Sequence, residues 1–176
     1  MSNYIIKPED ITKFLITINV TGDWLSSRDP QYPINSASKL ENRYNRNGDV
    51  AYYIASGEMT MKAEVPKWKE RDLYHVAPTT IHAFDTPSWS SENGCYEDYL
   101  KSKEEGGHGL CQKITDQLTG VYGLSGILYN SQPMHAAGQT GFCLVVLPPS
   151  GQLVDGTFFV KDLSHVAEPS KSARPL

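Results

Sequence analysis

Residues 41–65 read ENRYNRNGDVAYYIASGEMTMKAEV. A polar, arginine-bearing loop reaches the turn signal Asn47-Gly48 and gives way to DVAYYIAS (49–56), an apolar and aromatic run with strand character. GEMTMKAEV has helical spacing over about two turns: Met61 and Val65 lie one turn apart and share a face. Pro66 limits how far that helix runs. A loop, a strand and a short helix in direct succession set Arg43, Tyr53, Glu58 and Glu64 around one buried element.

Upstream, KPEDITKFLITINV (7–20) opens with acids and turns apolar, which predicts a short helix leading into a strand. Residues 21–42 are rich in Ser, Asn, Pro and Asp and read as a long loop, a length often tied to function. Downstream, DLYHVAP reads as a strand, TPSWSSENGC as loop, and YEDYLKSKEEGG as a short solvated helix closed by glycine. Leu110, Ile114 and Leu118 recur at intervals of four, the pattern of an amphipathic helix ended by Gly120 or Gly123. SGILYNS (125–131) and GFCLVVLP (141–148) read as strands joined by QPMHAAGQT. GTFFVKDL (156–163) is a candidate last strand. This mixture predicts an α+β fold rather than a doubly wound sheet. No GxGxxG and no Walker-type loop is present.

A chain of 176 residues suits one domain, and at 39% apolar residues it can bury a core without disulfides or metal. Apolar runs fall short of the roughly 18 residues of a membrane span, and MSNYIIKPED lacks the build of a secretory signal. The expectation is therefore no membrane partner and a cytoplasmic setting, with specialised secretion as the alternative route. Cys95, Cys111 and Cys143 are odd in number and widely spaced, unlike a disulfide framework. A metal site built on His108 and Cys111 would need two more ligands with no local source, so no metal is expected. The net charge of -4 carries no basic tract, which argues against nucleic acid. One or two arginines still suffice to hold a phosphate.

NRYNRNGDVAYYIASGEMTMKAEV, followed much later by GILYNS, resembles the RES-domain family, named for its Arg, Glu and Ser. Arg43, Tyr44 and Asn45 match its Arg-aromatic-Asn segment, Gly48 its glycine and Tyr53 its strand tyrosine. Ala63 and Glu64 match its helix pair; Gly126, Ile127, Tyr129 and Ser131 match its later strand. The similarity covers roughly residues 10–165. FLITINV lacks the arginine many members carry near the end of the first strand; Arg28 lies nearby. The resemblance implies an ADP-ribosyltransferase-like fold of mixed sheets with short flanking helices, in a single domain over 1–165 with a tail at 166–176. It also implies a toxin that consumes NAD by hydrolysis or phosphorolysis of the nicotinamide bond, with inorganic phosphate as co-substrate in the second case. An antitoxin or immunity protein would be its partner. Transfer of ADP-ribose to a protein and silent NAD binding are the alternatives.

Cleaving that N-glycosidic bond develops positive charge on the ribose, so the protein should supply negative charge there, a pyrophosphate clamp and a nicotinamide pocket. Glu64 is the expected carboxylate, with Glu58 its rival, placed to complement the helix dipole. Arg43 is the expected phosphate ligand, with Arg46 assisting. Tyr53 is expected to wall the pocket, with Tyr44 beside it. Ser131 is expected to donate a hydrogen bond to the cofactor, without the G-x-S-x-G setting of a nucleophile. His135 is a candidate for phosphate contact or proton transfer. Each has a plainer alternative: a surface glutamate or ion pair, a core tyrosine, a strand-end serine.

Overall fold

A computed structural model describes residues 5–20, 24–26, 43–46, 51–65, 74–75, 79–101, 109–124, 126–147 and 164–165. Arg28, Asn47-Gly48, Pro66, His108, the 156–163 segment and the tail lie outside these residues. Helix α1 (Pro8–Phe14) starts with proline in its first turn, carries Glu9 and Asp10 there and Lys13 in its last turn, and runs straight into strand β1 (Leu15–Val20). Acids at the start and a base at the end complement the helix dipole. Strand β2 (Trp24–Ser26), strand β3 (Tyr52–Ser56) and helix α2 (Glu58–Glu64) follow. The strand and helix expected across the opening stretch are both present.

Strands β4 (Tyr74–His75) and β5 (Thr79–Asp85) lead into helices α3 (Thr86–Glu92), α4 (Tyr96–Lys101) and α5 (Gly109–Thr115). α5 widens into a π-helical segment, Asp116–Val121. Strand β6 (Gly126–Asn130), helix α6 (Gln132–Ala136), strand β7 (Phe142–Val146) and strand β8 (Ser164–His165) complete the order. The TPSWSSENGC segment, read as loop, holds α3. Asp85 caps it, accepting from Ser88 N at 3.3 Å and Ser88 Oγ at 2.7 Å, and Trp89 is wholly buried on Phe84. The tryptophan's burial outweighs the poor helix propensity of serine. α4 is likewise less solvated than its charges suggest. Glu97, Asp98 and Lys101 face out, while Tyr99 and Leu100 are buried. QPMHAAGQT, read as a connection, contains α6.

Among the described residues eight strands form one mixed sheet in the order β1-β5-β6-β7-β3-β2-β4-β8. The β5–β6 pair is parallel, Phe84 opposite Ile127, and the other pairs are antiparallel. A parallel pair needs a long crossover, and α3, α4, α5 and the π segment supply it. Side chains alternate across the sheet. Ile127, Tyr129, Cys143 and Val145 face the helices, packing with Trp89, Tyr99, Leu100, Ile114 and Leu118. Leu128, Leu144, Val146, Tyr52 and Ile54 face the other way, with Val20, Ile81 and Ala83. Gly126 sits where β5 and β6 approach: a Cβ there would stand 2.4 Å from His82 O. The fold is α+β, and no helix among the described residues is long and apolar enough to cross a membrane.

Candidate active site

Glu64 is the last residue of α2, a position the helix dipole disfavours for a carboxylate. Lys62 in the same turn pairs instead with Glu58, at 2.9 Å. What Glu64 has is Ser131: the serine hydroxyl donates to Glu64 Oε2 at 2.5 Å. Ser131 is fully buried at the end of β6, where it also caps α6 by accepting from Met134 N at 3.3 Å. Its main-chain N–H donates to Gly141 O at 2.8 Å. The two motif segments, far apart in sequence, thus meet through one short, charge-assisted hydrogen bond. A carboxylate oriented this way, on a partly buried helix end, can stabilise a developing cation.

Two glycines permit the meeting. Gly57, at φ 99°, turns β3 into α2 in a conformation other residues resist. Gly141 lets α2 close on α6: a Cβ there would stand 2.4 Å from Thr60 Oγ1 and 3.0 Å from Met134 Cγ. Beneath Glu64 lie Tyr129 and Cys143, opposite each other on β6 and β7. Burial, then the neighbouring thiol and carboxylate, pushes the Tyr129 phenol well up. Burial, then Glu64, does the same to the Cys143 thiol. Both stay protonated, so the carboxylate has no rival anion beneath it.

The Arg43–Arg46 segment is a strap across the helices and the sheet. Arg43 Nη1 donates to Asn130 O at 3.1 Å, Nη2 to Tyr99 O at 2.5 Å and Nε to Cys111 Sγ at 3.3 Å. The guanidinium carbon stands 5.6, 5.1 and 5.3 Å from the ring centres of Tyr44, Tyr99 and Tyr129. These carbonyls and ring faces compensate a buried cation. Among the described residues it has no carboxylate partner. Burial pulls its pKa down, but its surroundings, Tyr44 foremost, hold it above the usual arginine value. Tyr44 is fully buried, its ring 4.6 Å from that of Tyr129.

Tyr53 is half-buried. Its hydroxyl accepts from Tyr44 N at 3.1 Å and donates to Asn45 Oδ1 at 2.8 Å. Thr115 Oγ1 donates to Tyr44 O at 2.8 Å, and Gln112 Nε2 to Asn45 O at 3.2 Å. Arg46 is exposed and makes a two-pronged pair with Asp116, at 2.6 and 2.9 Å. His135, exposed on α6, lies 3.7 Å from Glu97 and edge-on to Tyr96.

Of the residues singled out in the sequence, Glu64 and Ser131 are therefore in contact. Arg43, Tyr44 and Tyr53 are tied together beside them, and Arg46 and His135 stand on the surface. The helical contributors, Tyr96 and Tyr99, and their partner Asn130 were not foreseen; their signal was the i, i+3 spacing of the two tyrosines. No three His, Cys, Asp or Glu side chains among the described residues cluster to hold a metal ion.

No family model matches the chain, and no curated protein matches it. Among solved structures, the fold is similar to that of a chain in the crystal structure of the M. tuberculosis MbcT–MbcA toxin–antitoxin complex. The TM-score is 0.52 at 15% sequence identity, covering 89% of this chain and 86% of that one. The likeness extends over nearly the whole of both chains and establishes a shared fold.

Proposed function

We propose that the chain is an NAD-consuming toxin of RES type, on an ADP-ribosyltransferase-like fold, that cleaves the bond between nicotinamide and ribose. The observation that carries this reading is the Ser131–Glu64 hydrogen bond, which joins the two segments on which the family resemblance rests. The likeness to a chain of a toxin–antitoxin complex supports a toxin setting and a neutralising protein partner.

In this reading Glu64 supplies negative charge to the ribose as the nicotinamide bond breaks. Ser131 orients the carboxylate toward the ribose hydroxyls or the nucleophile. Nicotinamide leaves with the bonding electrons as a neutral molecule. Water attacking the ribose carbon gives ADP-ribose and a proton; phosphate gives ADP-ribose 1-phosphate. Tyr53 walls the nicotinamide side. We assign Arg43 to the frame, because each of its guanidinium nitrogens donates to the protein itself. Arg46 is the exposed guanidinium of the strap, and it would trade Asp116 for the pyrophosphate. Incubation with NAD, followed by separation of products, tests the reading: free nicotinamide supports it, and intact NAD overturns it.

A further inference from the structure

Asn130, next to Ser131, has no part in the chemistry above, yet both its main chain and its side chain are held by neighbouring groups. It is only 5% exposed. Its main-chain oxygen accepts from Arg43, and its main-chain N–H donates to Tyr99 Oη at 2.8 Å. Since the Tyr99 hydroxyl accepts there, its own proton is available to the Asn130 side chain, 3.2 Å away. The Tyr96 hydroxyl stands 2.9 Å from the same atom. Two phenol donors on one atom identify it as Oδ1 and turn the Nδ2 amide, with both its protons, away from α4. Among the described residues no group accepts from Nδ2. The amide nitrogen is not sealed from solvent, so this donor, fixed in orientation on the residue that precedes Ser131, is open to a substrate oxygen.

We propose that Asn130 is a substrate-contacting residue, its Nδ2 donating to a hydroxyl or carbonyl oxygen of the nicotinamide-ribose half of the dinucleotide. Tyr96 and Tyr99 act as positioning residues that hold the carboxamide in that sense. The inference rests on the reading of the chain as NAD-cleaving. It adds a donor to the accepting carboxylate of Glu64, and a fixed donor discriminates against substrates lacking the matching oxygen.

Asn130→Asp tests it, since the variant keeps an oxygen toward both phenols and replaces the donor with an acceptor. Nicotinamide release gives KM and kcat, and titration of NAD into Glu64→Gln protein, with and without the Asn130 change, gives affinity. The expected result is a rise in KM and in dissociation constant of about tenfold or more, from loss of one oriented hydrogen bond. Thermal unfolding is followed in parallel. Should the aspartate variant not fold, Asn130→Ala is measured the same way, with the same expectation. Values within about twofold of the parent overturn the role of Asn130 and leave the NAD-cleaving reading standing. Absence of both turnover by the unmodified chain and NAD binding by Glu64→Gln overturns both.

Discussion

The Ser131 hydroxyl donates to Glu64 at 2.5 Å and in the same position accepts from the Met134 N–H. One oxygen thus orients a carboxylate and caps a helix. Replacing Ser131 by alanine should cost about 1 kcal/mol of stability through the lost cap. It should lower NAD turnover by roughly ten- to a hundredfold through the freed carboxylate. Denaturant melts and nicotinamide release measure the two separately.

Gly141 lies against Thr60 of α2 and Met134 of α6. Gly141→Ala places a methyl group against Thr60 and Met134 and should destabilise by about 1–3 kcal/mol. It should also lower turnover, because relief of the clash moves Glu64 away from Ser131. Adding Thr60→Ala should restore part of both, and a double-mutant cycle measures the coupling.

Arg43 and Arg46 belong to one strap but should respond differently. Arg43→Ala leaves the Tyr99 and Asn130 carbonyls without their charged donor, at a cost of about 3–5 kcal/mol. Arg43→Lys recovers little of it, since an ammonium cannot span both carbonyls. Arg46→Ala removes an ion pair whose partners are about half exposed, and its stability cost should lie within about 1 kcal/mol. Urea midpoints of the three variants decide this.

Alkaline pH should weaken the fold. Cys143 and Cys95 are pushed up by burial, Cys95 to about 11. The folded chain therefore keeps thiol protons that the unfolded chain releases above about pH 8.5. Unfolding then releases protons, so stability is full below that pH and falls as pH rises from there toward the raised folded values. Urea midpoints between neutral pH and pH 10 should decline. The decline should be shallower in Cys143→Ala once each midpoint is referred to its own neutral value.

Much of the sheet was legible because its inner strands are dense in β-branched and aromatic residues, as in Tyr52–Ser56, Gly126–Asn130 and Phe142–Val146. α3 was not, because its cap and serines imitate a loop and its stabilising contact, Trp89 on Phe84, is tertiary. The π character of the segment extending α5 was not legible either, because Leu118 within it continues the interval-of-four pattern of an ordinary helix. In the site, a shared role for Glu64 and Ser131 was implied by the family resemblance of their two segments. The inward turn of Arg43 did not, since a guanidinium suits a phosphate or a pair of carbonyls equally well. The lock on Asn130 depends on where α4 docks, which local pattern leaves open.

The role of Glu64 at the nicotinamide bond is decided by product analysis of NAD incubated with the chain and with Glu64→Gln, each with and without inorganic phosphate. The unmodified chain should release nicotinamide, together with ADP-ribose when phosphate is absent or with ADP-ribose 1-phosphate only when it is present. Turnover by the variant should fall by at least about a hundredfold, the scale of removing one transition-state electrostatic partner. Intact NAD in every tube, or equal turnover by Glu64→Gln, would contradict that role.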